Sequence, residues 1–402
     1  MIQVPTVDQL DVDVKRVFYR VDYNVPMDGD TISDATRIEE TIPTLLLLRE
    51  RGARIVIGSH LGRPKGKRVD KYSLRPVAAK LSEMLNLEVQ FIEECTGEEV
   101  TRKVEQLSPG HILMLENLRF HPEEESNDSA FAEKLHLLGD VYVNDAFGAC
   151  HRAHASIVAL PELFGPGKRG GGLLLAKELE FLQKVTEVSQ RPFVAVLGGA
   201  KIAGKIEPLE TMVRLADTVL IGGGMANTFL ASRGVQMGGS LVDQDSIPVA
   251  SRILAGEKRA EVVLPEDLTV TDAIDVPANV HVVAVAEGLK PNERAADIGP
   301  KTIETFTEIL HKAQTIFWNG PMGVFEKEEF AVGTRAVAKA VADATAIVIV
   351  GGGESVEAVK QSGYADRISH LSTGGGASLE FISGVSLPGI EILQKGWNGP
   401  GN

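Results

Sequence analysis

The chain has 402 residues, 44% of them hydrophobic and 24% charged, and a formal net charge of −14. That length suits two or three domains with cores of their own, and only two cysteines, Cys95 and Cys150, exclude a disulfide framework and fit a reducing compartment. Both halves are acidic, which argues against nucleic-acid binding through a basic face; no apolar run reaches the ~18 residues of a membrane span, and MIQVPTVDQLDVDVKR lacks a signal-peptide core, so a cytoplasmic protein without membrane or nucleic-acid partners is expected.

The first candidate strands are RVFYRVDYN, ARIVIGSH, ILMLENLRF and DVYVNDAFG. Short, nearly continuous Val/Ile/Leu runs indicate strands buried on both faces, hence a parallel sheet, with the amphipathic stretches between them as crossovers. Each run ends in polar residues: Asp22 and Asn24, His60 and Arg63, Asn117 and Arg119, Asn144 and Asp145. Ligands of open parallel sheets bind beyond the carboxyl ends of the strands, so this half offers side chains to a ligand. Arg37, Arg63, Arg119 and Arg152 lie in or just after such loops, and arginine suits bidentate binding of phosphate and carboxylate. Any one of them is more often a surface salt bridge; four on one sheet edge with His60, Asp22 and Asn24 point to an anion site. Glu123, Glu124 and Glu125 read as a solvated acidic loop. Cys150, His151 and His154 lack the further ligand or orienting group that a metal or nucleophile site requires.

FGPGKRGGG, residues 164–172, is a turn-rich interruption that places a domain boundary at 172. Leu175, Leu179 and Leu182 then fall at helical spacing in LLLAKELEFLQKV, expected to be a helix joining two domains. The strands that follow, FVAVLGG, DTVLIGGG, VHVVAVAEG, TIFWNGP and AIVIVGGG, run mainly into glycines. Gly351, Gly352 and Gly353 precede an expected helix, ESVEAVKQSG, where bare backbone and the positive helix end suit a phosphate. One such loop is as often a simple tight turn. Further loops at Gly198–Gly199, Gly222–Gly224 and Gly374–Gly376 favour phosphates. From Gly199 to Lys205 the chain matches G-x-x-x-x-G-K, but Ile206 stands where a P-loop needs Ser or Thr to hold magnesium, so that architecture is disfavoured. Lys201 and Lys205 would share one face of a helix and neutralise a phosphoryl group in transfer. Glu326 and Glu354 are candidates for ribose and metal contacts, because a carboxylate beside a polyphosphate needs a sugar hydroxyl or Mg²⁺ between them. The expected fold is α/β, with two doubly wound parallel-sheet (Rossmann-like) lobes joined by a helix, and an interdomain cleft. The expected chemistry is phosphoryl transfer between a nucleotide and a small, doubly anionic acid.

RVDYNVP, ATRI, GSHLGRP, ENLRFH, NDAFGACHRAHAS, LGGAKIAGKI, LIGGGMANTF, DIGP, WNGPMGVFE, VGGGES and STGGGASLE, in this order and spacing, resemble the phosphoglycerate kinases across essentially the whole chain. The resemblance implies a monomeric glycolytic enzyme that exchanges the acyl phosphate of 1,3-bisphosphoglycerate with ADP, giving 3-phosphoglycerate and ATP, with Mg²⁺. It assigns Asp22, Tyr23, Asn24, Arg37, His60, Leu61, Gly62, Arg63, Arg119 and Arg152 to the acid. It assigns Gly199, Lys201, Lys205, Gly223, Asn319, Pro321, Glu326, Gly351, Gly352, Gly353, Glu354 and Ser355 to the nucleotide, with Glu354 on the metal. Arg37, Lys201 and Lys205 would be catalytic. Residues 1–172 would bind the acid, 173–372 the nucleotide, and 373–402 would pack back on the first domain. Three positions depart from the family pattern: Glu354 replaces the usual Asp, Ala295–Ala296 replace Gly-Leu before Asp297, and GGGLLLAKEL carries a bulkier residue after the interdomain glycine. A non-catalytic anion binder would leave Lys201, Lys205 and the glycine loops unused. A dinucleotide oxidoreductase would need a G-x-G-x-x-G after the first strand, which the chain lacks.

Overall fold

A computed structural model describes residues 2–188, 190–256, 259–277, 279–397 and 399. The chain forms two compact units, one running to Glu180 and resuming at Ser386, the other spanning Phe181–Val385. Both are α/β.

The first unit is built on β1 (Arg16–Val21), β2 (Arg54–Gly58), β3 (Val89–Ile92), β4 (Ile112–Leu115), β5 (Val141–Asp145) and β6 (Arg169–Gly171). They form one parallel sheet in the order β3-β4-β2-β1-β5-β6. Burial at nearly every position of β1, β2, β4 and β5 explains why those runs are continuously apolar. The edge strands β3 and β6 have no such signature in the sequence. β6 lies inside the segment read as turn-rich, and its glycines answer close approach. A Cβ on Gly170 would come within 2.5 Å of the Pro5 carbonyl oxygen, and one on Gly171 within 2.6 Å of Leu175. From β1 the chain builds outward through β2, β3 and β4, then crosses to β5 on the other side. That reversal opens a crevice at the carboxyl ends of β1 and β5, where such sheets bind ligands. After residue 385 the helix Pro388–Gln394 docks on this unit: Gly389 N–H donates to the Cys150 carbonyl at 2.9 Å, and Arg169 donates to the Lys395 carbonyl.

Asp145, the last residue of β5, holds the start of the helix Leu173–Glu187. Its Oδ1 accepts from Leu175 N–H at 2.8 Å, and Oδ2 accepts from the Tyr19 and Thr44 hydroxyls, each at 2.6 Å. Burial pushes this carboxyl up to about 6, against the pull of those donors. A folded value above the unfolded one means the group supports stability below about pH 4 and loses that support as pH rises through about 6. Asp145→Asn keeps the shape, and both hydroxyls can turn to accept from its amide. The variant should therefore match wild type in denaturant midpoint below about pH 4 and exceed it at pH ~8 by 1–3 kcal/mol. A midpoint difference that does not change with pH would refute the assignment.

The second unit contains β7 (Phe193–Leu197), β8 (Thr218–Ile221), β9 (Glu261–Val263), β10 (Asp267–Thr271), β11 (His281–Ala284), β12 (Arg294–Ile298), β13 (Thr315–Asn319), β14 (Ile347–Gly351) and β15 (His370–Leu371). Its main sheet is again parallel, ordered β9-β8-β7-β13-β14-β15, with the reversal between β7 and β13. VHVVAVAEG departs from expectation. β11 does not join the parallel sheet; it pairs antiparallel with β10 in a separate sheet ordered β11-β10-β12. Three of its four residues are exposed, so its apolar run marks an edge strand, not a buried one. The segment after β7 also differs. Lys201 and Lys205 lie in an irregular turn, and the helix begins only at Ile206. Gly204, at φ +79°, cannot continue a right-handed helix. Among the described residues, no helix is long and apolar enough to cross a membrane.

Candidate active site

In the first unit, the loops after β1, β2 and β4 converge on Asp22. Its carboxylate pairs with Arg37 on one oxygen and stands 3.7 Å from His60 Nε2 on the other. Burial would raise the Asp22 pKa, but the neighbouring cations, Arg37 chief among them, hold it well below the usual carboxylate range. His60 is buried, and that burial, together with Arg119, Arg20 and Arg37, pushes its imidazole well below its usual value despite Asp22. It is neutral. Arg119 is also buried; its Nη1 donates to the Gly62 carbonyl at 2.9 Å while its buried Nε has no hydrogen-bond partner. Burial, then Arg20, lowers its pKa to about 10. That Nε stands 3.8 Å from Glu125 Oε1, and a desolvated guanidinium so loosely paired suits an anionic ligand.

Several sequence candidates turn out to support this group instead of facing a ligand. The Tyr23 side chain is fully buried, its hydroxyl 2.7 Å from that of Thr41, so only its backbone can reach the crevice. Leu61 packs into the core. Gly62, at φ +63°, leaves no room for a side chain because a Cβ would lie 2.3 Å from the Tyr72 ring; its N–H donates to Asn24 Oδ1 at 2.8 Å. Arg63 is exposed and makes no hydrogen bond or ion pair among the described residues, and Arg152 is exposed beside His151, 3.0 Å from its Nε2. Asn117 ties the loops together, donating to the Leu61 and Tyr72 carbonyls and accepting from Arg119 N–H.

Sequence reasoning missed Arg20 and Glu124. Arg20 sits within β1 yet is fully buried, with Nη2 3.3 Å from His60 Nδ1 and 3.8 Å from Glu124 Oε1. Glu124 is not a solvated acid; it is fully buried and accepts from the Ser156 amide at 2.9 Å and hydroxyl at 2.6 Å. The available signal was an arginine inside an otherwise apolar strand, since a charge is rarely buried without a partner.

In the second unit, Lys205 lies at the reversal between β7 and β13. Its Nζ donates to the Gly198 carbonyl at 3.1 Å and to Asn319 Oδ1 at 3.2 Å. Burial lowers its pKa while Glu354 opposes the shift. Asn319 Nδ2 is buried without a partner, so this amide has a donor to spare. Lys201 is exposed in the same turn, within electrostatic reach of Asp243.

The glycines divide into two kinds. The amides of Gly199 and Gly223 already donate to the Pro321 and Met322 carbonyls at 3.0 Å each, so they do not cradle a phosphate. These residues are small because backbones meet there: a Cβ on Gly223 would fall 2.9 Å from the Gly199 nitrogen and oxygen. Gly352 and Gly353 are different. They open the helix Gly353–Gln361, whose N-terminus has no side-chain cap, and a Cβ on Gly353 would meet nothing within 4 Å. The first N–H groups of a helix have no partner inside it. Ser355 is buried, and its hydroxyl accepts from Gly320 N–H at 2.5 Å, holding the β13 loop against this helix.

A cavity of about 650 Å³ runs from these loops to β10 and β12. Gly199, Gly223, Pro321, Glu326 and Glu354 line one part, and Ala295, Ala296 and Leu268 another. Its dimensions suit a nucleotide. Buried Asp297 closes one wall, accepting from Ile298 N–H at 2.9 Å and Gly333 N–H at 2.6 Å. Among the described residues no group of three or more His, Cys, Asp or Glu could hold a metal ion. Glu354 lines the cavity as a single carboxylate and would leave most of a hard cation's ligands to water and phosphate oxygen.

The family model described as phosphoglycerate kinase matches residues 7–385. Curated relatives of that name include one from Moorella thermoacetica, 48% identical over 97% of this chain and 99% of its own. Another, from Chloroflexus aurantiacus, is 50% identical over 97% of this chain and 98% of its own. Among solved structures, the phosphoglycerate kinase from Coxiella burnetii superposes with a TM-score of 0.86 at 38% identity, covering 98% of this chain and 99% of that one.

Proposed function

The chain belongs to the phosphoglycerate kinase family, and on that premise we propose that it catalyses reversible phosphoryl transfer between 1,3-bisphosphoglycerate and ADP, the glycolytic step that yields 3-phosphoglycerate and ATP. The observation that carries the site assignment is the cluster in the first unit, where Arg37, Arg119 and Arg20 surround Asp22 and a neutral His60 at the carboxyl ends of β1, β2 and β4. Such a group recognises a small polyanion. The second unit supplies the nucleotide side through Lys205, Asn319, the Gly352–Gly353 helix start and the cavity bearing Glu326.

In the ATP-consuming direction the nucleophile is the carboxylate of 3-phosphoglycerate, ionised at neutral pH with a reference pKa near ~4. No general base is needed. A carboxylate oxygen bonds to the γ-phosphorus as the bond to the ADP oxygen breaks, in line, and the protein's task is alignment and charge stabilisation. Arg119 and His60 hold the acid, Asp22 aims Arg37, and Arg37, Lys201 and Lys205 balance charge on the transferring group. Glu354 would hold Mg²⁺, which neutralises phosphate charge when bound, and Glu326 would accept from a ribose hydroxyl. We assign the protein to the cytoplasm, in keeping with two buried, unpaired cysteines, and, from the family resemblance alone, propose that it is a monomer.

The deciding experiment is ADP release from ATP in a coupled assay. Turnover should require 3-phosphoglycerate and a divalent cation, and ATP hydrolysis indifferent to 3-phosphoglycerate would end the proposal. Because acid and nucleotide would bind to different units, transfer requires those units to approach each other and exclude water. Small-angle scattering should therefore show a smaller radius of gyration with both substrates than with either alone. An unchanged radius would count against closure.

A further inference from the structure

We propose that Arg20 is a positioning residue that locks His60 in the tautomer carrying its proton on Nε2, so that a neutral imidazole presents one N–H to the acid. The inference rests on the reading above that this face binds the acid, but its physical core does not. A neutral imidazole carries one proton, and the nitrogen that holds it is set by what the other nitrogen meets. Here the other nitrogen meets a group that can only donate: a guanidinium has no acceptor and does not lose its proton in proteins. Arg20 Nη2 lies 3.3 Å from His60 Nδ1, so Nδ1 accepts and the proton resides on Nε2.

Arg20 cannot turn away. Its Nε donates to Ser156 Oγ at 2.7 Å, Nη1 donates to the Val21 carbonyl, and Nη2 is 3.8 Å from Glu124 Oε1. Ser156 in turn donates to Glu124 through both amide and hydroxyl, and all three side chains are fully buried. Nε2, on the other edge of the ring, faces Asp22 Oδ1 at 3.7 Å. That is too long for a hydrogen bond, so the N–H remains available to a ligand oxygen. A second proton would have to sit on Nδ1 against the Arg20 donor. Arg37 and Arg119 add repulsion from their own elements, against the attraction of Asp22. The arrangement therefore yields a donor whose strength does not change with pH in the range where histidine ordinarily titrates.

The test is nitrogen-15 NMR of the full chain labelled at histidine, with the His60 signals identified by their loss in His60→Gln. Wild type should show the pure Nε2–H tautomer, unchanged across about pH 5 to 8. An Nδ1–H tautomer, or titration to the imidazolium within that window, would overturn the proposal. Arg20→Met/Glu124→Gln removes both charges of the buried pair together. In it His60 should become a mixture of tautomers, and KM for 3-phosphoglycerate should rise about tenfold with KM for ATP unchanged, the scale of one lost hydrogen bond to a charged group. A pure Nε2–H signature retained in the folded double variant would also overturn it. If that variant fails to fold, the wild-type spectrum decides alone. A wild type with the expected spectrum but no turnover would leave the tautomer assignment standing and sink the kinase reading instead.

Discussion

Replacing Arg37 with alanine should lower kcat by ~10²–10⁴-fold, the scale of removing a preorganised charge donor from a transition state. Arg37 is the cation best placed for this because Asp22 grips it at the head of the β1 loop while its side chain stays 30% exposed. It is aimed yet reachable. The same substitution takes from Asp22 the main cation that keeps it ionised, so some loss of stability should accompany it, largest at neutral pH and shrinking as pH falls below the ordinary carboxylate range. Arg37→Lys separates the two effects: it restores a charge near Asp22 without the planar fork, and should recover stability more fully than rate. Steady-state turnover and denaturant midpoints, measured on both variants, check this. A kcat change under threefold in Arg37→Ala would remove Arg37 from the reaction.

Lys205→Met should cut kcat/KM for ATP by ~10²–10³-fold, with KM for 3-phosphoglycerate nearly unaffected. Methionine keeps much of the side chain's length and apolar volume, so the packing around β7 and β13 survives. What disappears is the ammonium group linking the Gly198 carbonyl to Asn319 Oδ1 at the carboxyl end of the sheet. Two acceptors then lack a donor, at a cost of ~1–3 kcal/mol. That loss is too small to unfold a domain of ordinary stability, so rate and stability can be read on the same variant. Lys201→Met should have the milder effect on stability, since Lys201 is exposed and sits in a turn. If Lys205→Met retained wild-type kcat/KM for ATP, the nucleotide site would have to lie elsewhere on the second unit.

Much of this molecule can be read before folding is considered. Strands buried on both faces must be apolar throughout, so β1, β2, β4, β5, β7, β8, β13 and β14 all announce themselves as Val/Ile/Leu runs. Candidate side chains of such sheets sit where the runs end, which is why Asp22, His60 and Arg119 were legible from their positions, whereas Asn319 came only from the family resemblance. Edge strands escape this reading. β3 is a sheet edge with two half-exposed residues, β6 is two glycines and an arginine packed against the Pro5–Thr6 backbone, and β11 looks apolar while lying exposed in another sheet.

Residue types and their spacing determined that this chain is a two-unit α/β protein with cations at the strand ends of one half and glycines at those of the other. Only the folded arrangement decided which of those groups keep hydrogen-bonding capacity to offer. It turned the Gly199 and Gly223 amides toward backbone carbonyls and left the Gly353 helix start open. It also buried Arg20 and Glu124 behind His60. The physical reason is that donor capacity and burial are properties of surroundings: a sequence lists the polar groups, but only packing says which have already spent their hydrogen bonds.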